Sequence, residues 1–285
     1  MSFDPRSLLE KEFRTIRHTY SAKDCILYAL GVGMGMDPLD EDCLPFLYED
    51  GLKVLPSQAV IMAHPGFWAR EDETGLDWVK VLHAGQEIIL HKPFPASGTV
   101  EATTRVTEVI DKGDRIGALI VSDRVVRDVE TGEELSTLIT TILARGDGGF
   151  GGERKQTARP DAVPVKEPDE ICDLPTLRQQ ALLYRLSGDY NPLHAVPEIA
   201  RNAGFREPIL HGLCTLGVAT HALMKTCCDY DPDRFKRMRL RFSAPVYPGD
   251  TIRTEIWREG AEVAFRCKSV EQDKIVINNG YLLTG

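Results

Sequence analysis

The chain has 285 residues, of which 42% are hydrophobic and 27% charged, and its formal net charge at pH 7 is -9. This composition predicts a globular protein with one large domain or two medium ones. The negative charge argues against a general nucleic-acid binder, and no apolar run is long enough to predict a membrane span. The seven cysteines form no CxxC pair, which predicts reduced thiols in an intracellular protein and no metal site built from them.

The first half of the chain begins with predicted helices. Residues 1–20 are a polar lead-in, and Ser21 is suited to cap a helix over 22–34, which has an apolar stripe. An acidic, proline-containing loop follows at 37–48, and then a short buried helix over 55–63 that leads into another loop.

Runs rich in Val, Ile and Thr then alternate with turns, which predicts a multi-stranded antiparallel sheet. The strands predicted in the first half are 78–83, 86–91, 99–110, 116–128 and 135–144. The second half repeats this order, with a buried helix over 212–225 and strands over 238–242, 251–258, 262–270 and 274–283. The fold class predicted from this order is α+β.

A glycine- and proline-rich segment at 146–168 separates the halves. Three of its glycines, Gly146, Gly148 and Gly151, match the spacing of a dinucleotide-binding loop. Prolines follow where that motif requires a helix, so we interpret the segment as a flexible linker. The predicted organisation is an N-terminal half over 1–145, the linker, and a C-terminal half over 169–285.

The two halves also share a weak internal repeat. Residues 91–99 and 243–251 have the same order of Pro, Pro, Gly and Thr, each between two predicted strands. This pattern indicates two copies of one unit, a long helix wrapped by a curved antiparallel sheet. The first copy lacks the Asp-x-Asn-Pro-x-His motif of the second, so we expect it to bind a ligand without doing chemistry.

The motif runs from Tyr184 to His194. Gly188 is suited to end the preceding helix, and a proline keeps the chain from restarting it at once. Asp189 and His194 are therefore expected on one tight turn, as a general acid/base pair requires. The same residues are also ordinary turn chemistry, and taken alone they favour a structural turn.

The sequence downstream favours a catalytic interpretation. The run 204–212 ends in His211-Gly212 at the start of the apolar helix. A glycine there brings its backbone N–H close to a ligand, and the start of the helix adds positive potential. An acid, a base and a candidate oxyanion donor within this short stretch form a catalytic constellation.

These residues carry a resemblance to a known family. The run Tyr-x-Leu-Ser-Gly-Asp-x-Asn-Pro-Leu-His, followed by Pro-Ile-Leu-His-Gly-Leu, resembles the (R)-specific enoyl-CoA hydratases, the type 2 hydratases of the MaoC-like dehydratase family. These include the hydratase part of the peroxisomal multifunctional β-oxidation enzymes. The resemblance implies a double hotdog fold and hydration of trans-2-enoyl-CoA to (3R)-3-hydroxyacyl-CoA, with no metal and no redox cofactor.

The resemblance also implies roles for single residues. Asp189 and His194 would share the acid and base tasks around one water, on one face of the substrate. Asn191 would hold that water or orient the pair, and the N–H of Gly212 would stabilise the thioester oxyanion. Contacts to substrate or coenzyme A are implied for His83, Ala84, Lys112, Tyr190, Pro192, Leu193 and Phe242. The family usually has glycine where this chain has Ala84.

Other interpretations stay open for several of these residues. Lys112 fits a solvated turn lysine equally well, and His83 fits a histidine at the end of a sheet. His211 is expected to orient the turn at Gly212. The nearest alternative function is an acyl-CoA thioesterase on the same fold, and another is a non-catalytic acyl-CoA-binding subunit. The intact motif favours the hydratase over both.

The resemblance further implies an acyl-CoA thioester as the small-molecule partner. We expect a homodimer, since hotdog units leave sheet edges and apolar faces to cover. The expected compartment is the peroxisome by family analogy, or the cytoplasm if the chain is bacterial.

Overall fold

The computed structural model describes residues 3–151 and 162–285. The linker predicted at 146–168 falls partly on residues 152–161, which lie outside the described residues, and the division into two domains stays a prediction. The described residues form an 11-stranded sheet in which every pairing is antiparallel. Its strands are β1 Ile16–Tyr20, β2 Val81–Leu90, β3 Gly98–Ala102, β4 Thr104–Asp111, β5 Ala118–Asp128, β6 Glu134–Ala144, β7 Glu170–Pro175, β8 Phe235–Phe242, β9 Thr251–Glu259, β10 Glu262–Ser269 and β11 Lys274–Thr284.

The order of the strands shows that the two halves of the chain are copies of one unit. The sheet runs β1-β3-β5-β6-β2-β8-β11-β10-β9-β7, with β4 paired to β5. At each end of the sheet lies the short strand that begins a half, β1 or β7. At the middle of the sheet lie β2 and β8, the strands that follow the helices of each half. The halves join where β2 pairs with β8, from Gly85 opposite Arg241 to Ile89 opposite Arg237. The segments 91–99 and 243–251 occupy equivalent connections, as the internal repeat predicts.

The helices are α1 Pro5–Leu9, α2 Ala22–Gly31, α3 Gln180–Tyr184, α4 Pro197–Asn202 and α5 Gly212–Cys227, and a 3-10 helix spans Pro56–Ile61. The longest helix, α5, packs against strands β7 and β9 of this sheet. Ser21 and Asp24 form a capping box at the start of α2, so the predicted cap is confirmed. Helix α5 is buried on nearly all sides, also as predicted. Together with the sheet, these two central helices give the predicted α+β double hotdog arrangement.

Several predicted boundaries were wrong. The single strand predicted over 99–110 is two strands, β3 and β4, and only β3 also pairs with β1. The two strands predicted over 78–83 and 86–91 are one strand, β2, preceded by a 3-10 turn. The helix predicted over 22–34 ends at Gly31, and the loop at 37–48 contains a 3-10 helix, Glu41–Phe46.

The sequence did not predict β1, β7, α1 or α4. Strand β7 is short and rich in acidic residues, and its order comes from pairing with β9, more than 75 residues away along the chain. Such long-range hydrogen bonds leave little local pattern to read.

The interior of the protein agrees with the prediction from composition. All seven cysteines are free and buried, as expected for reduced thiols. Buried side chains of both halves form one large core that includes Tyr28, Tyr184 and Leu216, and a smaller cluster around Leu8 and Ile120 is separate from it. Within the described part of the chain, no helix has the length and apolar character needed to cross a bilayer.

Candidate active site

The predicted catalytic turn follows α3. A 3-10 turn, Arg185–Ser187, extends that helix, and Gly188 ends it with φ of +119°. Side chains with a Cβ rarely adopt this left-handed backbone, which explains the glycine. A second 3-10 turn, Pro192–His194, then carries His194 back toward the core.

Asp189 and Asn191 make the hydrogen bonds of an ordinary polar turn. The Asn191 N–H donates to Asp189 Oδ1 at 3.2 Å, and the Leu193 N–H donates to Asn191 Oδ1 at 3.1 Å. The second bond caps the 3-10 turn that carries His194. These bonds confirm the predicted turn, and the catalytic role of its residues stays a prediction. The position of Asn191 favours orienting the pair over holding the water.

The imidazole of His194 is set up as a base. Its Nδ1 lies 2.9 Å from the carbonyl oxygen of Ile209, which can only accept, so Nδ1 carries a proton. In the neutral ring Nε2 then has a free lone pair. Only 8% of His194 is exposed, and this burial lowers its pKa below the ordinary value of 6.5. The ring is therefore neutral at pH 7, as a general base must be.

His211 supports both members of the pair. Its ring stacks on that of His194 with centroids 3.7 Å apart, and its Nε2 donates to the backbone carbonyl of Asp189 at 3.2 Å. Only 1% of the residue is exposed, and burial lowers its pKa to about 4, with the neighbouring His194 adding to the shift. A neutral His211 thus holds the ring of one partner and the backbone of the other.

The polar atoms of Asp189, His194 and His211 lie within 4.8 Å of one another, a spacing that metal sites also have. The two imidazole planes are 30° apart in a stack, so their in-plane lone pairs run side by side. Metal ligands must converge on one point. The geometry therefore fits an acid/base pair better than a metal centre.

Gly212, Phe242 and His83 meet next to this pair, although they come from three different elements. Gly212 is the first residue of α5, so its N–H has no acceptor within the helix. A Cβ at Gly212 would lie 3.5 Å from the ring of Phe242. The ring of His83 packs edge-on against Phe242 with centroids 4.9 Å apart. Burial lowers the pKa of His83 to about 4, and Asp189 is among the groups that oppose this shift, so the carboxylate lies nearby.

The other predicted contact residues lie around this centre. Ala84 is the extra residue of a bulge in β2, where the pairing with β6 shifts between His83 and Gly85. Tyr190 is exposed, with the Arg185 guanidinium 5.1 Å from the centre of its ring. Pro192 is exposed and Leu193 half-buried on the turn itself.

Lys112 lies farther from the centre than the other predicted contact residues. It follows β4, and its N–H donates to Gly117 at 2.9 Å across the turn into β5. Strand β4 is three strand spacings from β2, or about 14 Å at a typical spacing of about 4.8 Å. The structure therefore does not bring Lys112 to the acid/base pair, but that distance suits the far end of a long ligand.

Sequence reasoning missed two residues near the site, His64 and Arg124. His64 follows the buried 3-10 helix, and the charges of Arg124 and Asp189 both act on its pKa. Arg124 lies on the buried face of β5. No sequence pattern singled out Arg124 as inward, because both faces of β5 mix apolar and polar residues over 120–126.

Comparison with known proteins agrees with this fold. Residues 159–280 match the MaoC like domain, and residues 18–146 match the MFE-2 hydratase 2 N-terminal domain. The chain is 36% identical to the peroxisomal enoyl-CoA hydratase 2 of Arabidopsis thaliana, over 96% of this chain and 94% of that protein. It is 38% identical to the peroxisomal multifunctional enzyme type 2 of Mus musculus over 93% of its own length, but spans only 36% of that enzyme.

Solved structures give the same result. A MaoC-like dehydratase from Phytophthora capsici is similar with a TM-score of 0.85 and 32% identity, covering 98% of each chain. A Mycobacterium tuberculosis protein described as having a double hotdog fold is similar with a TM-score of 0.55 at 13% identity, over 96% of each chain, which supports the fold alone. The fold and the site thus define a double hotdog protein with an Asp/His pair at the start of its central helix. The chain belongs to the MaoC-like dehydratase family, in the branch that carries the hydratase 2 N-terminal domain.

Proposed function

We propose that this protein is a hydro-lyase that adds water reversibly to trans-2-enoyl-CoA and forms (3R)-3-hydroxyacyl-CoA in fatty-acid metabolism. The observation that carries the proposal is that Asp189, the neutral His194 and His211, which precedes the N-terminus of α5, bring their polar atoms within 4.8 Å of one another. The relatives named as enoyl-CoA hydratases support it.

Asp189 and His194 act on one water molecule. As the water oxygen bonds to C3 of the enoyl group, one of its protons passes to the pair, and the pair returns a proton to C2. The free Nε2 of His194 is suited to receive the water proton, because Nδ1 is fixed as a donor to Ile209. Both groups belong to the same turn and therefore address the same face of the substrate, which favours syn addition.

The Gly212 N–H stabilises the negative charge that develops on the thioester oxygen. It lies at the positive end of a 16-residue helix and has no intrahelical acceptor. One such donor is typically worth about 3 kcal/mol in the transition state. Phe242 packs next to Gly212, so the same pocket orients the thioester.

The remaining predicted contacts form a path for coenzyme A. His83 and Ala84 lie at the thioester end, and Lys112 lies about 14 Å away at the same end of the sheet, in reach of a phosphate. Tyr190, Pro192 and Leu193 line the turn beside the reacting carbons. No metal or redox cofactor enters any step.

We assign the acyl chain to the N-terminal half, over 1–145, and the chemistry to the C-terminal half, over 169–285. We also propose a homodimer, because β7 pairs only with β9 among the described strands and leaves an open sheet edge. The free, buried cysteines suit an intracellular compartment in which acyl-CoA is present.

The test uses a medium-chain trans-2-enoyl-CoA. Hydration is followed as loss of the ultraviolet band of the enoyl thioester, while a thiol reagent records any free coenzyme A. The proposal predicts loss of the band without free thiol, and a loss at least about 10²-fold slower with the Asp189→Asn variant. Free thiol would identify a thioesterase instead, and tight acyl-CoA binding without any reaction would identify a binding subunit.

A further inference from the structure

Arg124 is a charged side chain in the interior of the N-terminal half. It is 7% exposed and points inward from β5, between Thr104 of β4 and Leu138 of β6. Burial alone lowers its pKa to about 9, and no acidic side chain of the described residues counters that shift. Arg124 is therefore a buried cation at neutral pH for which the described protein supplies no anion.

The guanidinium group is also short of hydrogen bonds. Of its five N–H groups, one donates to a described residue, from Nη2 to the carbonyl of Val60 at 2.9 Å. Nε is enclosed and has no partner among the described residues. Burying a charge without a partner is costly, so such a group in an enzyme points to a ligand that completes it.

The place of Arg124 connects it to the reaction centre. Val60 belongs to the 3-10 helix Pro56–Ile61, and His64 follows four residues later. The charges of Arg124 and Asp189 both act on the pKa of His64, so His64 lies within electrostatic reach of the buried cation and of the predicted catalytic turn. Part of the His64 side chain reaches solvent. The protein atoms packed around the ring still bury it enough to lower its pKa to about 3, and the Arg124 charge adds to that shift.

His64 offers a second hydrogen-bond donor. The Gly66 N–H donates to His64 Nδ1 at 3.0 Å, so the neutral ring carries its proton on Nε2. Binding a plain hydrocarbon tail requires neither a buried guanidinium nor an imidazole N–H.

We propose that Arg124, with His64 as a second donor, binds a carboxylate carried by the acyl group of the substrate. The protein then prefers enoyl-CoA thioesters whose acyl chain ends in a carboxylate over those that end in a methyl group. This inference rests on the proposed hydratase function and names the substrate class of the same site. The carboxylate supplies the anion that the protein lacks, through charge-assisted hydrogen bonds.

The test compares two series of trans-2-enoyl-CoA thioesters of matched chain lengths, one ending in a carboxylate and one in a methyl group. The readout is the ratio of kcat/KM for the two series. The variant is Arg124→Met, in which an unbranched apolar side chain takes the place of the cation. The control is Arg127→Met, on the same strand but exposed and paired with Glu134 at the surface.

At the best chain length, the wild-type protein and Arg127→Met are expected to prefer the carboxylate. The ratio should fall on the order of 10- to 100-fold in Arg124→Met, as expected for loss of a charged hydrogen bond. If Arg124 had only a structural role, Arg124→Met would lower kcat/KM for both substrates alike. The ratio would then be unchanged, and that result overturns the inference. A wild-type preference for the methyl series at every chain length also overturns it.

The methyl series separates failure of the hydratase proposal from failure of the carboxylate inference. If the protein is a hydratase, the wild type hydrates the methyl series whether or not Arg124 binds a carboxylate. If neither series reacts, calorimetric binding of the two saturated acyl-CoA series gives the same comparison as a ratio of Kd values. An equal Kd for both series in the wild-type protein then rejects the carboxylate site.

Discussion

The substitution His194→Asn separates the chemical role of the imidazole from its structural one. His194 Nδ1 donates to the Ile209 carbonyl at 2.9 Å. In the variant, the Asn amide nitrogen can take the position of Nδ1 and keep this hydrogen bond. What is lost is Nε2, the free lone pair that we assign to the water proton, together with the ring that stacks on His211. We therefore expect a protein that folds but turns over slowly.

The magnitude follows from these two losses. Removing a positioned general base typically costs about 10²- to 10⁴-fold in rate, which corresponds to about 3 to 5 kcal/mol of activation free energy. The lost ring stacking costs about 1 kcal/mol of folding stability. The steady-state kcat with a medium-chain enoyl-CoA measures the first effect, and chemical denaturation measures the second.

The matched control is His221→Gln. His221 is 5% exposed on α5, and its Nε2 lies 3.2 Å from the Tyr230 hydroxyl, a contact that the Gln amide can keep. Both substitutions replace a buried imidazole by an amide, but we expect the control to retain wild-type kcat. If His194→Asn kept more than about a tenth of the wild-type kcat, the assignment of the base would be refuted.

Three further substitutions or conditions test the same account. Asp189→Asn keeps the shape of the turn but removes the carboxylate, so kcat should fall at least about 10²-fold with unchanged folding, and a near-normal kcat would remove Asp189 from the pair. Gly212→Ala places a Cβ 3.5 Å from the Phe242 ring, which is an ordinary contact, so the free energy of unfolding should change by less than about 1 kcal/mol. The kcat/KM should fall because the methyl group enters the thioester pocket, and unchanged kinetics would exclude the oxyanion role. Burial lowers the pKa of both His211 and His221 to about 4, whereas a histidine in the unfolded chain has a pKa of about 6.5. Between these two pH values the unfolded state binds more protons than the folded state, so the protein loses stability as the pH falls. Each fully affected histidine contributes a slope of up to about 1.4 kcal/mol per pH unit, so His221→Gln should lose less stability than wild type between pH 7.5 and 5 in chemical denaturation, and equal losses would contradict the assignment.

The sequence predicted those features that depend on neighbours along the chain. Four of the five strands of the C-terminal half, β8 to β11, and its central helix were predicted within a few residues, because their apolar patterns are long and regular. The catalytic turn was predicted from Gly188 and the proline after Asn191, since both restrict the backbone locally.

The features that failed depend on residues far apart in the chain. Strands β1 and β7 are short and polar, and partners on distant segments order them. The stack of His211 on His194 needs the return of the chain over 195–210, which no periodicity reveals. His64 and Asp189 belong to different halves of the chain, and the charge of Asp189 acts on the pKa of His64. This proximity also depends on the folded arrangement and leaves no local pattern in the sequence.

The stereochemistry of hydration tests the central claim most directly. The protein, in deuterated water, converts a medium-chain trans-2-enoyl-CoA, and the product is resolved on a chiral column and its C2 deuterium located by NMR. With Asp189 and His194 on one turn, the account predicts the (3R)-hydroxyacyl-CoA with deuterium and hydroxyl added to the same face. A (3S) product, or addition to opposite faces, would contradict it.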